Sequence, residues 1–81
     1  MKIIVTGGLG FIGSSVIKNL INKDEVQILN LDKSTYAANP EYLNFLKNNE
    51  KYKFQEGDIA DKQLIGTILR DFKPEVIMNL A

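Results

Sequence analysis

At 81 residues the chain is shorter than the roughly 100–200 residues of a typical globular domain, so a single, incomplete domain is expected. Its 10 Lys and Arg balance 10 Asp and Glu and are scattered along the chain, which argues against nucleic acid or an anionic membrane surface as a partner. With neither cysteine nor histidine, disulfides and the usual zinc ligands are excluded, and no metal site is expected.

Ile3 to Val5 is a continuous apolar run that stops at Thr6-Gly7-Gly8. That is far short of the roughly 7–15 apolar residues of a signal-peptide core, so a cytosolic protein without a membrane anchor is expected. The run instead predicts a first strand, buried on both faces as in parallel sheets. From Phe11 to Lys23, Ile12, Val16, Ile17, Leu20 and Ile21 recur at helical spacing and predict a helix with those residues on its inner face. Val26 to Leu31 returns to strand character, completing a strand, crossover helix and parallel strand.

Asp32 to Asn39 is polar and irregular, and Pro40 can open a short helix carrying Leu43, Phe45 and Leu46. Lys53 to Glu56 predicts a third strand, ended by Gly57-Asp58. Asp61 can cap a helix bearing Leu64, Ile65, Ile68, Leu69 and Phe72, which Pro74 stops. Val76 to Leu80 predicts a fourth strand, apolar enough to be buried. Four strands alternating with three helices imply an α/β fold, a Rossmann-type parallel sheet with flanking helices, truncated after its fourth strand. Strand one then lies where the strand order reverses, and ligands bind there at the carboxyl ends of the strands.

The run Thr6-Gly7-Gly8-Leu9-Gly10-Phe11-Ile12-Gly13 occupies that point, between a strand and its helix. Two glycine registers fit: Gly8, Gly10 and Gly13 as G-x-G-x-x-G, or Gly7, Gly10 and Gly13 at the looser spacing. In either, glycines permit a tight turn and let a pyrophosphate approach the positive end of a helix, although a sharp strand-to-helix turn alone would also use them. Asp32 closes strand two, 19 residues beyond Gly13, where a carboxylate can accept hydrogen bonds from both ribose hydroxyls of a dinucleotide. A carboxylate there would repel a 2′-phosphate, which favours NAD over NADP, with Lys33 partly offsetting it. A P-loop is excluded because Ser14 stands where the phosphate-binding lysine must be. Asp58 can either hydrogen-bond an adenine amino group, helped by the Ile59 backbone, or simply lead into the next helix. Leu80-Ala81 either lines the cofactor or merely ends a buried strand.

These residues also resemble a known family. Thr6 to Gly13 is similar to the opening of the extended short-chain dehydrogenase/reductases, whose register is Gly7, Gly10 and Gly13. Asp32-Lys33-Ser34-Thr35-Tyr36-Ala37-Ala38-Asn39 resembles the segment that sets dTDP-glucose 4,6-dehydratases apart from epimerase and decarboxylase relatives, with Ser34 for a usual leucine and Ala38 for a usual glycine. Gly57-Asp58-Ile59 and Asn79-Leu80-Ala81 fit as well. The resemblance implies NAD as cofactor, with Phe11 and Ile12 touching it, Asp32, Lys33, Ser34 and Thr35 around the adenosine ribose, Asp58 and Ile59 at adenine, and Leu80 and Ala81 lining the site. It implies a nucleotide-sugar substrate, oxidised at C4, dehydrated across C5 and C6 and reduced at C6. Residues 1–81 are then expected to be the N-terminal part of one NAD-binding domain, inactive alone, since the fourth residue after Tyr36, Tyr42 and Tyr52 is Pro40, Leu46 and Glu56 rather than the lysine of a Tyr-x-x-x-Lys pair. Self-association is also expected, through an uncovered apolar fourth strand.

Overall fold

The computed structural model describes residues 1–33, 46 and 48–80. Six elements follow one another: β1 (Lys2–Thr6), α1 (Phe11–Leu20), β2 (Gln27–Asp32), β3 (Tyr52–Glu56), α2 (Lys62–Phe72) and β4 (Val76–Asn79). The short helix expected from Pro40 lies outside the described residues, apart from Leu46, which is buried. The strands form one sheet in the order β3-β2-β1-β4, and every pairing is parallel. The chain thus builds outward from β1 through β2 to β3, then returns to place β4 on the other side of β1. This is the reversal expected of a Rossmann-type sheet.

Burial follows from that order. β1 is central, and Ile3, Ile4 and Val5 are all buried, as are Ile28, Leu29 and Leu31 of β2. Alternate residues point to opposite faces. One face collects Ile3, Val5 and Ile28 with Ile17 and Ile21, the latter two brought by α1 and the turn after it. The other collects Ile4, Leu29 and Leu31 with Ile68, flanked by Leu64, Ile65 and Phe72 of α2. Covering both faces is what allows these strands to be apolar without alternation.

Two expectations about the core need correction. Ile12, expected on the inner face of α1, is 66% exposed, and Phe11 beside it is 74% exposed. The inner stripe of the helix is instead Gly13, Ser14 and Ile17. Bare Gly13 lets the helix lie directly on the preceding loop, so its first turn has no room for a larger inward side chain. The fourth strand, expected to be apolar enough to be buried and yet uncovered at its edge, is uncovered rather than buried at Ile77, which is 55% exposed. α2 packs over Ile4 and Leu29, toward the middle of the sheet, and so leaves the Ile77 side of this edge strand uncovered among the described residues.

The start and end of α2 agree with the sequence reading. The Asp61 carboxylate accepts from the Leu64 N–H at 3.1 Å, and Lys73 ends the helix with φ 52° immediately before Pro74. Asp61→Ala is expected to destabilise the fold by about 0.5–2 kcal/mol, the range for losing such a cap, as measured by denaturant unfolding. Among the described residues no helix is long and apolar enough to cross a membrane.

Candidate functional site

The segment between β1 and α1 is held by its own amides. At Gly7 the chain turns with φ 75°, a left-handed conformation that favours glycine, and the Gly7 N–H donates to the Leu31 carbonyl at 3.0 Å. The Gly8 N–H donates to Asn30 Oδ1 at 3.0 Å, the Leu9 N–H to Asp32 Oδ2 at 2.9 Å, and the Gly10 N–H to the Gly7 carbonyl at 3.2 Å. Four successive amides therefore point into the protein, three of them onto β2. An anion meeting this edge would face the start of α1, where a helix carries a partial positive charge.

Both glycine registers have a structural basis, for different reasons. A Cβ on Gly13 would stand 2.2 Å from the Gly7 carbonyl oxygen and 2.8 Å from Gly8 Cα, and one on Gly8 would stand 2.2 Å from Asn30 Oδ1. Gly10 is unlike either. It is the N-cap of α1, at φ −73° and ψ 172°, and the nearest atom to a Cβ there would be the Gly7 oxygen at an ordinary 3.5 Å. The fold itself would accept a side chain at position 10. Ser, Thr, Asp or Asn would moreover cap the helix through its side chain, and the first turn carries no acidic residue. What a bare Gly10 secures is open space above the helix start, the space a pyrophosphate of a dinucleotide would fill.

Asp32 closes β2 beside this loop and is 8% exposed. Lys33 reaches across to β3's end, where its Nζ lies 3.2 Å from Asp58 Oδ2. The other oxygen of Asp58 accepts from the Ala60 N–H at 2.9 Å, and the Asp58 carbonyl accepts from the Asp61 N–H, so the turn leading into α2 is built on this residue. The Ala60 N–H, and then Lys33, hold the Asp58 carboxyl below the usual carboxylate range. The Lys33–Asp58 pair thus persists at pH values where an ordinary aspartate has become protonated, and is lost as pH falls through the lowered value. Ile59 is exposed beside it. On the far side of β1 the Leu80 N–H donates to the Thr6 carbonyl at 3.0 Å, and the Thr6 hydroxyl donates to Asn79 Oδ1 at 2.7 Å.

The sheet therefore brings Gly7 to Gly13, Asp32, Lys33, Asp58, Ile59 and Leu80 to one carboxyl edge. Ser34, Thr35 and Ala81 lie outside the described residues. Sequence reading missed Asn30 and Tyr52. The one visible signal was a carboxamide interrupting the apolar run of β2, where Asn30 is fully buried. Among the described residues no three His, Cys, Asp or Glu gather as metal ligands would.

The family model for GDP-mannose 4,6 dehydratase matches residues 4–81. A dTDP-glucose 4,6-dehydratase of Escherichia coli is 49% identical over the whole chain, which covers 22% of that protein. The Haemophilus influenzae dTDP-glucose 4,6-dehydratase is 44% identical, again over the whole chain, with 24% of that protein covered. Among solved structures, the dTDP-glucose 4,6-dehydratase of Bacillus anthracis in complex with NAD matches with a TM-score of 0.93 and 34% identity, covering 100% of this chain and 26% of that one. The UDP-glucuronic acid 4-epimerase of Bacillus cereus in complex with NAD matches with a TM-score of 0.84 and 28% identity, covering 100% of this chain and 27% of that one. The chain spans about a quarter of the length of these relatives, at 22–27%.

Proposed function

This chain belongs to the GDP-mannose 4,6-dehydratase family, and on that footing we propose that it forms the adenosine and pyrophosphate half of the NAD site of a dTDP-glucose 4,6-dehydratase. The observation that carries the reading is the glycine loop: its four amides from Gly7 to Gly10 are taken up by the fold, while Gly10 keeps the start of α1 clear. The amides of Phe11 and Ile12 then receive the pyrophosphate, with their exposed side chains beside it. Asp32 accepts from the adenosine ribose hydroxyls, with Lys33, Ser34 and Thr35 around that ribose. Asp58 and Ile59 meet adenine, and Leu80 with Ala81 lines the cofactor.

In the complete protein NAD supplies reversible hydride acceptance, for oxidation of the nucleotide sugar at C4 and reduction at C6 after loss of water. The residues of this chain bind and orient. They contain no Tyr-x-x-x-Lys pair, so the groups that move protons on the sugar belong elsewhere in the protein. An epimerase shares this half-site, but the 49% identity to a dehydratase over the whole chain favours dehydration. Assay of the complete protein separates them by its product, a 4-keto-6-deoxy sugar nucleotide or an inverted C4 centre.

Amide-resolved NMR with NAD tests the site. Shifts should concentrate at Phe11 to Gly13, Asp32, Lys33 and Asp58, and an unshifted glycine loop would remove the reading. Cofactor choice has a further check in the ion pair beside Asp32. While Asp58 holds Lys33, that cation is drawn away from a 2′-phosphate. Asp58→Asn is expected to raise NADP affinity relative to NAD by about threefold, a modest change because the pair is solvent-exposed and screened, read from paired titrations.

A further inference from the structure

Asn30 is fully buried in the middle of an otherwise apolar strand, between Leu29 and Leu31. Its neighbours across β1 and β3 are Val5 and Phe54. A carboxamide in such a place is unfavourable unless every polar atom is paired, and an aliphatic residue would contribute more to the core. Here both ends are paired. Oδ1 accepts from the Gly8 N–H, and Nδ2 donates to the Tyr52 hydroxyl, each at 3.0 Å.

The orientation of this carboxamide is dictated by the loop and accommodated by Tyr52, whose hydroxyl can accept as well as donate. The Gly8 N–H can only donate, so it demands the oxygen, and the amino end must then find an acceptor on β3. Tyr52 provides one: burial pushes its hydroxyl above the usual phenol range, so it stays neutral. Gly8 fits because it has no side chain, since a Cβ there would collide with Asn30. The pair is therefore mutually required, a bare residue in the loop over a carboxamide in the strand. Together with the Leu9–Asp32 bond it fastens the loop to β2 and fixes where α1 begins.

We propose that Asn30, oriented by Tyr52, is the positioning residue that aims the first-turn amides of α1 at the cofactor pyrophosphate. The inference rests on the NAD reading above and goes beyond it by assigning control of the phosphate site to two side chains that do not reach the ligand. Tyr52 opens β3 at the end opposite the carboxyl edge, paired with Ile28, so any influence on phosphate binding passes through Asn30.

The test uses the intact protein, three ligands and a double-mutant cycle. NAD, ADP and adenosine are titrated against the unmodified protein, Asn30→Ala, Tyr52→Phe and the double variant, with thermal melts to establish folding. Asn30→Ala should weaken NAD and ADP about tenfold while adenosine changes less than about twofold, because only the pyrophosphate depends on the loop. Tyr52→Phe should weaken NAD and ADP by about threefold alone, and add nothing in the Asn30→Ala background. If Asn30→Ala does not fold, Tyr52→Phe, which removes a single hydroxyl, carries the same ligand discrimination by itself. Equal losses for all three ligands, or additive effects of the two substitutions, would overturn the assignment in favour of a general packing role. If the unmodified protein does not bind NAD, the cofactor reading fails and this inference falls with it. Binding by the unmodified protein with unchanged affinities in both variants sinks the inference alone.

Discussion

Gly13→Ala is expected to destabilise the protein by about 3 kcal/mol or more and to abolish NAD binding, because overpacking against a backbone that cannot yield is among the costlier single changes. The new Cβ would stand 2.2 Å from the Gly7 oxygen and 2.8 Å from Gly8 Cα. Neither atom can easily retreat, since Gly7 and Gly8 are tied to Leu31 and Asn30 on a central strand. α1 would have to lift from the loop, taking Ile17 out of the core it shares with Val5 and Ile28. Gly10→Ala is the matched control. Its Cβ meets only ordinary contact distances, so stability should stay within about 1 kcal/mol, the span separating glycine from alanine at an N-cap. NAD affinity should nevertheless fall about tenfold or more, equivalent to at least about 1.4 kcal/mol, because the methyl group occupies the approach to the helix start. Denaturant unfolding and calorimetric titration of the two variants distinguish a glycine needed by the fold from one needed by a ligand. Equal stability losses would remove that distinction.

Asp32→Ala should weaken NAD by about 1.5–3 kcal/mol, the scale for hydrogen bonds to a charged group, which is roughly 10- to 150-fold in affinity. It should also reduce stability, because the Leu9 N–H loses its buried acceptor, an unsatisfied donor costing about 1–3 kcal/mol. Asp32→Asn separates the two roles. The carboxamide oxygen can still accept from Leu9, so stability should be largely retained, while the missing charge narrows the preference for NAD over NADP. Titration with both cofactors, alongside unfolding curves, checks each part. An NAD affinity unchanged in Asp32→Ala would refute the ribose assignment.

Much of the architecture could be read from residue order because β1 and β2 are apolar without alternation and the intervening helix is framed by glycines and a polar turn. The position of the glycine loop, Asp32 at the end of β2 and Asp61 at the start of α2 followed from the same local chemistry. The departures share a different cause. Helical periodicity counts Ile12 as core, whereas the inner face at that turn belongs to Gly13 and Ser14, which carry no hydrophobic signal. The exposure of Ile77 depends on where along the sheet α2 rests, which a strand's own composition does not encode. Tyr52 gives no signal in the sequence, and Asn30 shows only as a carboxamide interrupting an apolar run, until the fold sets Gly8 and Tyr52 against its two ends. The Lys33–Asp58 pair likewise exists only because β2 and β3 end side by side.

The hydrogen bonds of the loop also imply an order of assembly. Gly8 reaches Asn30 across 22 residues and Leu9 reaches Asp32 across 23, whereas the Thr6–Asn79 bond closes a separation of 73. Closing a longer stretch of chain is entropically harder and slower, and synthesis presents the N-terminal end first. Every acceptor that the loop draws from β2 has been translated once residue 32 is made, while β1 waits for β4 on its other side. The loop between β1 and α1 is thus among the earliest parts of the molecule able to take its final shape, and of the four described strands β4 is the one that must wait longest for its place beside β1.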